Sequence, residues 1–366
     1  MNKPIQKVYL IAGEASGDLH ASNLIRSMKT LSSGIDFRVW GGDHCQEAGA
    51  RVVKHIKDLA FMGFVEVLAN LGAILKNIRF CKQDILAYNP DVLILVDYPG
   101  FNLRIAEWAK AQGIRVVYYI SPQIWAWKEG RVNKIKKIVD QMLVILPFEK
   151  EFYAKHHFPV AFVGHPLLDV VEDFIPEIEI KKGSKPLVAL LPGSRSMEIK
   201  QVWPIMAETV RACPEYDFAL AMAPNLLESQ FEGLSSLNQV QVVRGKTYAV
   251  LNQADAALVT SGTATLETAL FGVPEVVCYK GNAISYHIAK YLIKVKYISL
   301  VNLILDRSLV TELIQFELTS SNLSQALKSL FEPENKAKLE KGYKELRQAL
   351  GETGASMRAA RAILGK

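Results

Sequence analysis

The feature that most constrains this chain is a set of short, wholly apolar runs without polar alternation. Val92-Leu93-Ile94-Leu95-Val96 and Leu187-Val188-Ala189-Leu190-Leu191 are the clearest. A strand with one solvated face alternates apolar and polar residues, whereas a strand covered on both faces does not. Continuous runs of Val, Ile and Leu therefore predict parallel sheets covered by helices. In the first half, strands are predicted at residues 7–13, 37–41, 91–97, 115–121, 141–147 and 160–164. In the second half they fall at 187–191, 217–221, 240–244, 256–260 and 275–279. Helical patterns lie between them, such as 102–112 closed by Gly113, a residue suited to a helix C-terminus. The expected fold class is α/β, with two Rossmann-like domains facing a cleft.

Residues 171–186 interrupt the alternation with Glu172, Asp173, Pro176, Glu177, Glu179, Lys181, Lys182, Gly183 and Pro186. Such a stretch reads as a linker. The expected division is a first domain at 1–170, a linker at 171–186, a second domain at 187–345 and a final helix within 346–366. That helix either packs back on the first domain or exchanges between the subunits of a homodimer. Of the 366 residues 50% are hydrophobic, enough for each half to bury its own core.

Charge and cysteine usage exclude several classes. A balance of 43 basic against 37 acidic residues, +6, is too slight to argue for nucleic acid; it suits an anionic lipid surface or a phosphorylated substrate. Cys45, Cys81, Cys213 and Cys278 are far apart, which speaks against a zinc site or disulfide framework and for a reducing, cytoplasmic setting. The chain runs from Lys3-Pro4 directly into Val8-Tyr9-Leu10-Ile11, so no signal peptide is expected. No run of about 20 uncharged apolar residues predicts a membrane span.

Five motifs could carry chemistry. Gly13-Glu14-Ala15-Ser16-Gly17-Asp18 lies between a strand and a helix and lacks the Gly-x-Gly-x-x-Gly spacing of dinucleotide sites. It is either a helix start capped by Ser16 or Asp18, or a turn that presents Glu14 at the carboxyl end of a strand, where α/β sheets bind ligands. Asp97, in Val96-Asp97-Tyr98-Pro99-Gly100, ends an apolar strand. It is either a turn and capping acid or a general base. Leu191-Pro192-Gly193-Ser194-Arg195 is either a plain strand-to-helix turn or an anion loop that offers backbone N–H groups and a guanidinium to a phosphate. Thr260-Ser261-Gly262-Thr263-Ala264-Thr265-Leu266-Glu267 opens a helix with small hydroxyl residues. It is either a capped helix start with a surface Glu, or a turn whose N–H groups suit a diphosphate and whose Glu267 suits the two hydroxyls of a ribose. Asn302 interrupts an apolar run; it either lines that pocket or satisfies buried backbone groups.

Two further stretches point to lipid. Residues 61–80 carry Phe61, Met62, Phe64, Val65, Leu68 and Leu71. They make either a buried core helix or an acyl-contacting, membrane-facing surface. Lys128, Arg131, Lys134, Lys136 and Lys137 crowd one predicted helix, either as a solvated face or as a contact for anionic headgroups. No His-Glu-x-x-His, Asp-x-Asp or Gly-x-Ser-x-Gly pattern occurs, so neither metal nor other cofactor is expected.

Taken in order, these motifs, with Tyr119-Ile120-Ser121-Pro122-Gln123-Ile124-Trp125-Ala126-Trp127 and Gly164-His165-Pro166, resemble the lipid-A-disaccharide synthase family from about residue 9 to about residue 315. The resemblance implies a glycosyltransferase-B fold and a metal-independent, inverting enzyme peripherally associated with the inner membrane. It would join UDP-2,3-diacylglucosamine to 2,3-diacylglucosamine 1-phosphate. Carried over by motif, Asp97 is the candidate base and Glu14 a residue near the reacting centre. Ser194, Arg195 and the turn with Ser261, Gly262, Thr263 and Thr265 would hold the diphosphate, Glu267 the ribose, and Asn302 the same pocket. The chain departs from the family pattern at Val301 and at Val310-Thr311-Glu312, where prolines are usual. Competing readings are a UDP-N-acetylglucosamine 2-epimerase, a transferase of peptidoglycan lipid intermediates, and a non-catalytic UDP-sugar-binding membrane protein.

Overall fold

The computed structural model describes residues 4–59, 71–176, 178–180, 183–281 and 295–366. Phe61, Met62, Phe64, Val65 and Leu68 lie outside the described residues, and Leu71 enters only as the first residue of the helix Leu71–Tyr88.

The chain divides into two compact units, residues 1–169 with 352–366, and residues 170–351. The first holds seven strands: β1 Lys7–Ala12, β2 Asp36–Gly41, β3 Arg51–His55, β4 Val92–Val96, β5 Arg115–Tyr119, β6 Gln141–Val144 and β7 Ala161–Phe162. They form one parallel sheet in the order β3-β2-β1-β4-β5-β6-β7. The second holds β8 Leu187–Leu191, β9 Asp217–Met222, β10 Val240–Arg244, β11 Ala256–Thr260, β12 Glu275–Tyr279 and β13 Thr311–Ile314. These too are parallel, in the order β10-β9-β8-β11-β12-β13. Every residue of β4, β8 and β11 is buried, as apolar runs covered on both faces require.

Each predicted strand has a counterpart, and two strands were not anticipated. β3 and β13 are sheet edges. They carry Arg51, Lys54, His55, Thr311 and Glu312, and no residue of either is fully buried. These two edges, unlike β7 and β10, carry charged residues inside the strand and so leave no apolar run to read. The predicted strands also overran at Asp97 and Ser121, which belong to the turns that follow.

The helix Ala355–Leu364 belongs to the first unit and packs on the helix Ala15–Leu31 of the same chain. Arg115 and Gln141 donate to the carbonyls of Ile363 and Ala362, each at 3.0 Å, and Arg358 Nε donates to Val163 O at 2.8 Å. The preceding helix, Pro333–Ala349, stays with the second unit.

Polar groups inside the first core are linked to one another. Trp40 Nε1 donates to Tyr9 OH at 2.8 Å, and Tyr9 OH donates to Asp84 Oδ2 at 2.7 Å. Arg38 closes the chain at Asp84 from the other side. Burying these groups costs little because each has a partner.

Glu275, the first residue of β12, is different. It is fully buried and neither carboxyl oxygen has a hydrogen-bond partner. Burial, and then the charge of Glu312, push its pKa well above the usual carboxylate value. The folded chain therefore holds a proton there that the unfolded chain releases. This contribution to stability is fully present below the unfolded glutamate pKa and declines as pH rises from there through the folded value. Glu275→Gln is expected to raise the unfolding temperature at pH 8, with the gain shrinking toward pH 4. A gain of equal size at both pH values would show that Glu275 is not the group that titrates.

Candidate active site

In each sheet the strand order reverses once, between β1 and β4 and between β8 and β11. Ligands of open α/β sheets bind beyond the carboxyl ends of the strands at such switch points. Four of the five sequence motifs fall there. Glu14 follows β1, Asp97 follows β4, Ser194 and Arg195 follow β8, and Ser261 follows β11.

In the first unit, Asp97 and Tyr98 both adopt left-handed backbone conformations, with φ of 44° and 48°, and Ile120 just past β5 has φ of 65°. Non-glycine residues avoid this region, a β-branched one most of all, and persist there only when their surroundings hold them. Here the restraints are visible. Asp97 N donates to Tyr119 O at 3.2 Å and Ile120 N to Leu143 O at 3.1 Å. The Asp97 carbonyl accepts from Tyr118 OH at 2.6 Å and from Asn102 Nδ2 at 2.7 Å. Asn102 Nδ2 also reaches Val96 O at 3.2 Å. Gly13 completes the arrangement: a Cβ added there would overlap the Tyr98 ring, so the glycine is required by close approach of the ring. Tyr98 stacks on Phe101 at 5.7 Å.

The Asp97 side chain is half-buried. Burial first, and the negative charge of Glu14 second, push its pKa up to about 7. Two carboxyl groups thus sit within each other's field, and one of them exchanges its proton near neutral pH, the property a general base needs. Glu14 occupies the N-cap position of Ala15–Leu31 but makes no side-chain cap bond there. Asp18 does not cap that helix either. Its buried carboxylate accepts from the backbone N–H of Gly42 (2.6 Å), His44 (3.1 Å) and Cys45 (3.2 Å), and so caps Asp43–Glu47 instead.

Sequence reasoning missed the support beneath the turn after β5. Glu149 is buried and accepts from Trp125 Nε1 at 3.3 Å and from Ile145 N and Leu146 N at 3.2 and 3.0 Å. Burial raises its pKa to about 7. Ser121 Oγ and Tyr153 OH lie 2.6 Å apart beside it. The only signal was the aromatic run that ends Trp125-Ala126-Trp127.

In the second unit the loop after β8 departs from expectation. The N–H groups of Ser194 and Arg195 donate to Glu198 Oε2 at 3.0 and 3.2 Å, and the Arg195 guanidinium lies 3.1 Å from Glu198 Oε1. Those amides are occupied by a carboxylate of the same chain; the Arg195 side chain, 54% exposed and paired with that carboxylate, is the charged group of the loop that can face an anion. The turn after β11 fits its expectation more closely. Gly262, with φ of 154°, and Thr263 are exposed at the start of the helix Thr263–Leu270, and open space lies where a Cβ of Gly262 would be. Thr265 is buried and donates to Gly262 O at 2.9 Å. Glu267 is half-buried. Burial raises its pKa, and its Oε1 accepts from Tyr248 OH at 2.9 Å. Tyr248 is itself held between Phe174 and Phe271 at 5.9 and 5.3 Å.

Asn302 takes the second of its two readings. It is fully buried. Nδ2 donates to Val310 O and to Glu312 Oε1, each at 2.9 Å, while Oδ1 accepts from Leu309 N (2.8 Å) and Val310 N (3.0 Å). An amide with two donated and two accepted bonds has no capacity left for a ligand. Its effect on the site is indirect. Glu312 also accepts from Ile298 N and from Ser299 N and Oγ, and Ser261 Oγ donates to Ile298 O at 3.0 Å. Asn302 therefore braces the Ser261 turn from behind. Asn302→Ala is expected to lower stability by about 2–4 kcal/mol and the unfolding temperature by roughly 5–10 °C, because it strands buried donors and acceptors. A variant with unchanged melting but weaker nucleotide binding would return Asn302 to the pocket.

Among the described residues, no cluster of three or more His, Cys, Asp or Glu side chains could hold a metal ion, and no helix is long and apolar enough to cross a membrane.

Comparison with solved structures supports the fold. The chain is similar to the UDP-GlcNAc 2-epimerase of Neisseria meningitidis bound to UDP-GlcNAc, with a TM-score of 0.69, 13% identity and coverage of 99% of this chain and 100% of that one. The calicheamicin glycosyltransferase CalG4 matches with a TM-score of 0.63 and 16% identity over 100% of this chain and 98% of that one. At these identities the likeness shows a shared glycosyltransferase-B fold. Sequence relatives are closer. The lipid-A-disaccharide synthase of Geobacter metallireducens is 39% identical over 99% of this chain and 97% of its own length. That of Syntrophus aciditrophicus is 41% identical over 96% of each. The family model for lipid-A-disaccharide synthetase matches residues 8–364. With its motifs at the switch points of two parallel sheets and its relatives matching end to end, the chain belongs to the lipid-A-disaccharide synthase family.

Proposed function

We propose that this glycosyltransferase joins UDP-2,3-diacylglucosamine to 2,3-diacylglucosamine 1-phosphate, with inversion at the donor anomeric carbon. The products are the β-1,6-linked disaccharide 1-phosphate and UDP. The observation that carries the mechanism is Asp97, fixed on a strained turn within the field of Glu14 and titrating near neutral pH. Asp97 takes the proton from the attacking acceptor hydroxyl as that oxygen bonds to the donor C1. The bond from C1 to the diphosphate oxygen breaks, and its electron pair leaves with UDP. The Ser261–Thr265 turn, with its helix N–H groups, and the exposed Arg195 guanidinium hold that developing charge. Ser194 sets the position of the Arg195 loop. Glu267, kept in place by Tyr248, binds the ribose hydroxyls. On sequence grounds Phe61, Met62, Phe64, Val65, Leu68 and Leu71 contact acyl chains at an anionic inner-membrane surface.

The direct test is mass spectrometry of the purified chain with both substrates, with and without EDTA. A tetra-acyl disaccharide monophosphate plus UDP, insensitive to EDTA, is expected. Consumption of UDP-N-acetylglucosamine alone, with epimerisation at C2, would replace this reading with the epimerase one.

Asp97→Asn should reduce kcat by about 10²–10⁴-fold with UDP affinity and melting unchanged. Because the base must be ionised, kcat/KM should fall on the acid side of about pH 7. Glu14→Gln removes a like charge and should move that limb to lower pH. A limb that stays in place would separate Glu14 from the titration of Asp97. Glu267→Ala should raise the donor KM by roughly 10–100-fold, the cost of lost hydrogen bonds to a charged acceptor, and an unchanged KM would refute the ribose role.

A further inference from the structure

Past β5 the chain turns through Ser121-Pro122-Gln123 into the short helix Ile124–Trp127, which leaves Trp127 50% exposed. Two cations cover its indole. Lys128 Nζ lies 3.9 Å from the ring centroid and the Arg131 guanidinium carbon 5.6 Å. The basic run expected to share one helix is in fact split here, with Lys128 preceding and Arg131 ending the turn Glu129–Arg131, and Lys134, Lys136 and Lys137 on Val132–Ile138.

Two of the three cations on the helix are engaged by neighbours. Lys134 pairs with Glu107 at 2.7 Å, and Lys136 donates to His156 O at 2.7 Å. Glu129, between the two cations on Trp127, pairs with His156 at 3.1 Å. Among the described residues no carboxylate pairs with Lys128 or Arg131. The two instead act on each other: cover by its surroundings first, and the Arg131 charge second, hold the Lys128 pKa below the usual lysine value. Two like charges held against one indole without a carboxylate partner form a site that an anion would complete.

The turn that carries the pair leaves the carboxyl end of β5, the strand beside β4, where Asp97 N donates to Tyr119 O at 3.2 Å. Burial and the Asp97 charge push the Tyr118 hydroxyl's pKa up, and Arg131 is near enough to pull it back in part. That hydroxyl donates to the Asp97 carbonyl at 2.6 Å. An anion seated on Lys128 and Arg131 would thus lie at the same end of the sheet as Asp97.

We propose that Lys128 and Arg131, held against the Trp127 indole, form the subsite for the acceptor's phosphate monoester. The inference rests on the acceptor named above. A phosphate monoester carries about −1.5 to −2 charges at pH 7 and presents three acceptor oxygens. An Arg fork can take two of these, and a Lys ammonium serves as a mobile point charge.

The test is calorimetric titration of the full chain with 2,3-diacylglucosamine 1-phosphate and with its dephosphorylated counterpart, without donor, so that binding is read apart from turnover. The unsubstituted protein should prefer the phosphorylated ligand. Lys128→Ala/Arg131→Ala should lose about 30-fold in affinity for it, the effect of removing two charge-assisted contacts. Affinity for the dephosphorylated ligand and for UDP should stay unchanged, which also reports an intact fold. Arg131→Lys should retain part of the preference. Equal affinity for both ligands in the unsubstituted protein would overturn the subsite, as would an equal loss for both in the double variant. Reduced co-sedimentation with phosphatidylglycerol vesicles and unchanged acceptor affinity would assign the cations to the membrane instead. Phosphate-selective binding without turnover would reject the proposed reaction and keep the subsite; turnover without selectivity would do the reverse.

Discussion

Because the central strands β4, β8 and β11 are covered on both faces, a charged side chain can leave them only at a strand end. This constraint organises the rest of the molecule. β4, β8 and β11 hold no polar side chain before their last residue, and the chemistry-bearing groups follow immediately after them. Where a carboxyl group is fully buried in a covered strand, as Glu275 is at the start of β12, it is stripped of hydrogen-bond partners and held protonated. The sheet interior tolerates such a group only in its neutral form.

Past the ends of β4 and β5, backbone strain does the positioning. Asp97, Tyr98 and Ile120 are each held in a conformation their side chains disfavour. The restraints come from neighbouring strands, from Asn102 and Tyr118, and from the Tyr98 ring lying on Gly13. The result is a carboxyl group that is half-buried, close to a second one, and unable to relax away from either. Strain and proton affinity here have one cause, a turn fixed from several sides.

The second unit uses hydrogen-bonded bracing in place of strain. Glu312, on the edge strand β13, gathers Ile298, Ser299 and Asn302, and Ile298 in turn receives the Ser261 hydroxyl. Glu198 does the same for the Ser194–Arg195 loop. Neither glutamate stands out in the sequence, since an isolated acid on an exposed edge or in a first helical turn looks like ordinary surface. Both act at their own loop, through contacts that folding creates.

What the sequence alone determined was the class of fold and the positions at which ligands could be met. Apolar runs report two-sided burial, and Gly, Pro and small polar residues report the turns that end it. The places of Glu14 and Asp97 just past β1 and β4 were legible on those grounds, together with the order of motifs shared with one family. The edge strands β3 and β13 were not legible, because exposure leaves no apolar signature. Only the tertiary structure could decide which of two chemically reasonable roles each polar residue takes. Asn302 could line a pocket or saturate a loop, Asp18 could cap its own helix or another, and Lys128 and Arg131 could share a solvated face or crowd one indole. Each choice turns on partners distant in sequence or on a local turn that periodicity does not encode, and a hydrogen bond or ion pair exists only once folding has brought both groups within reach.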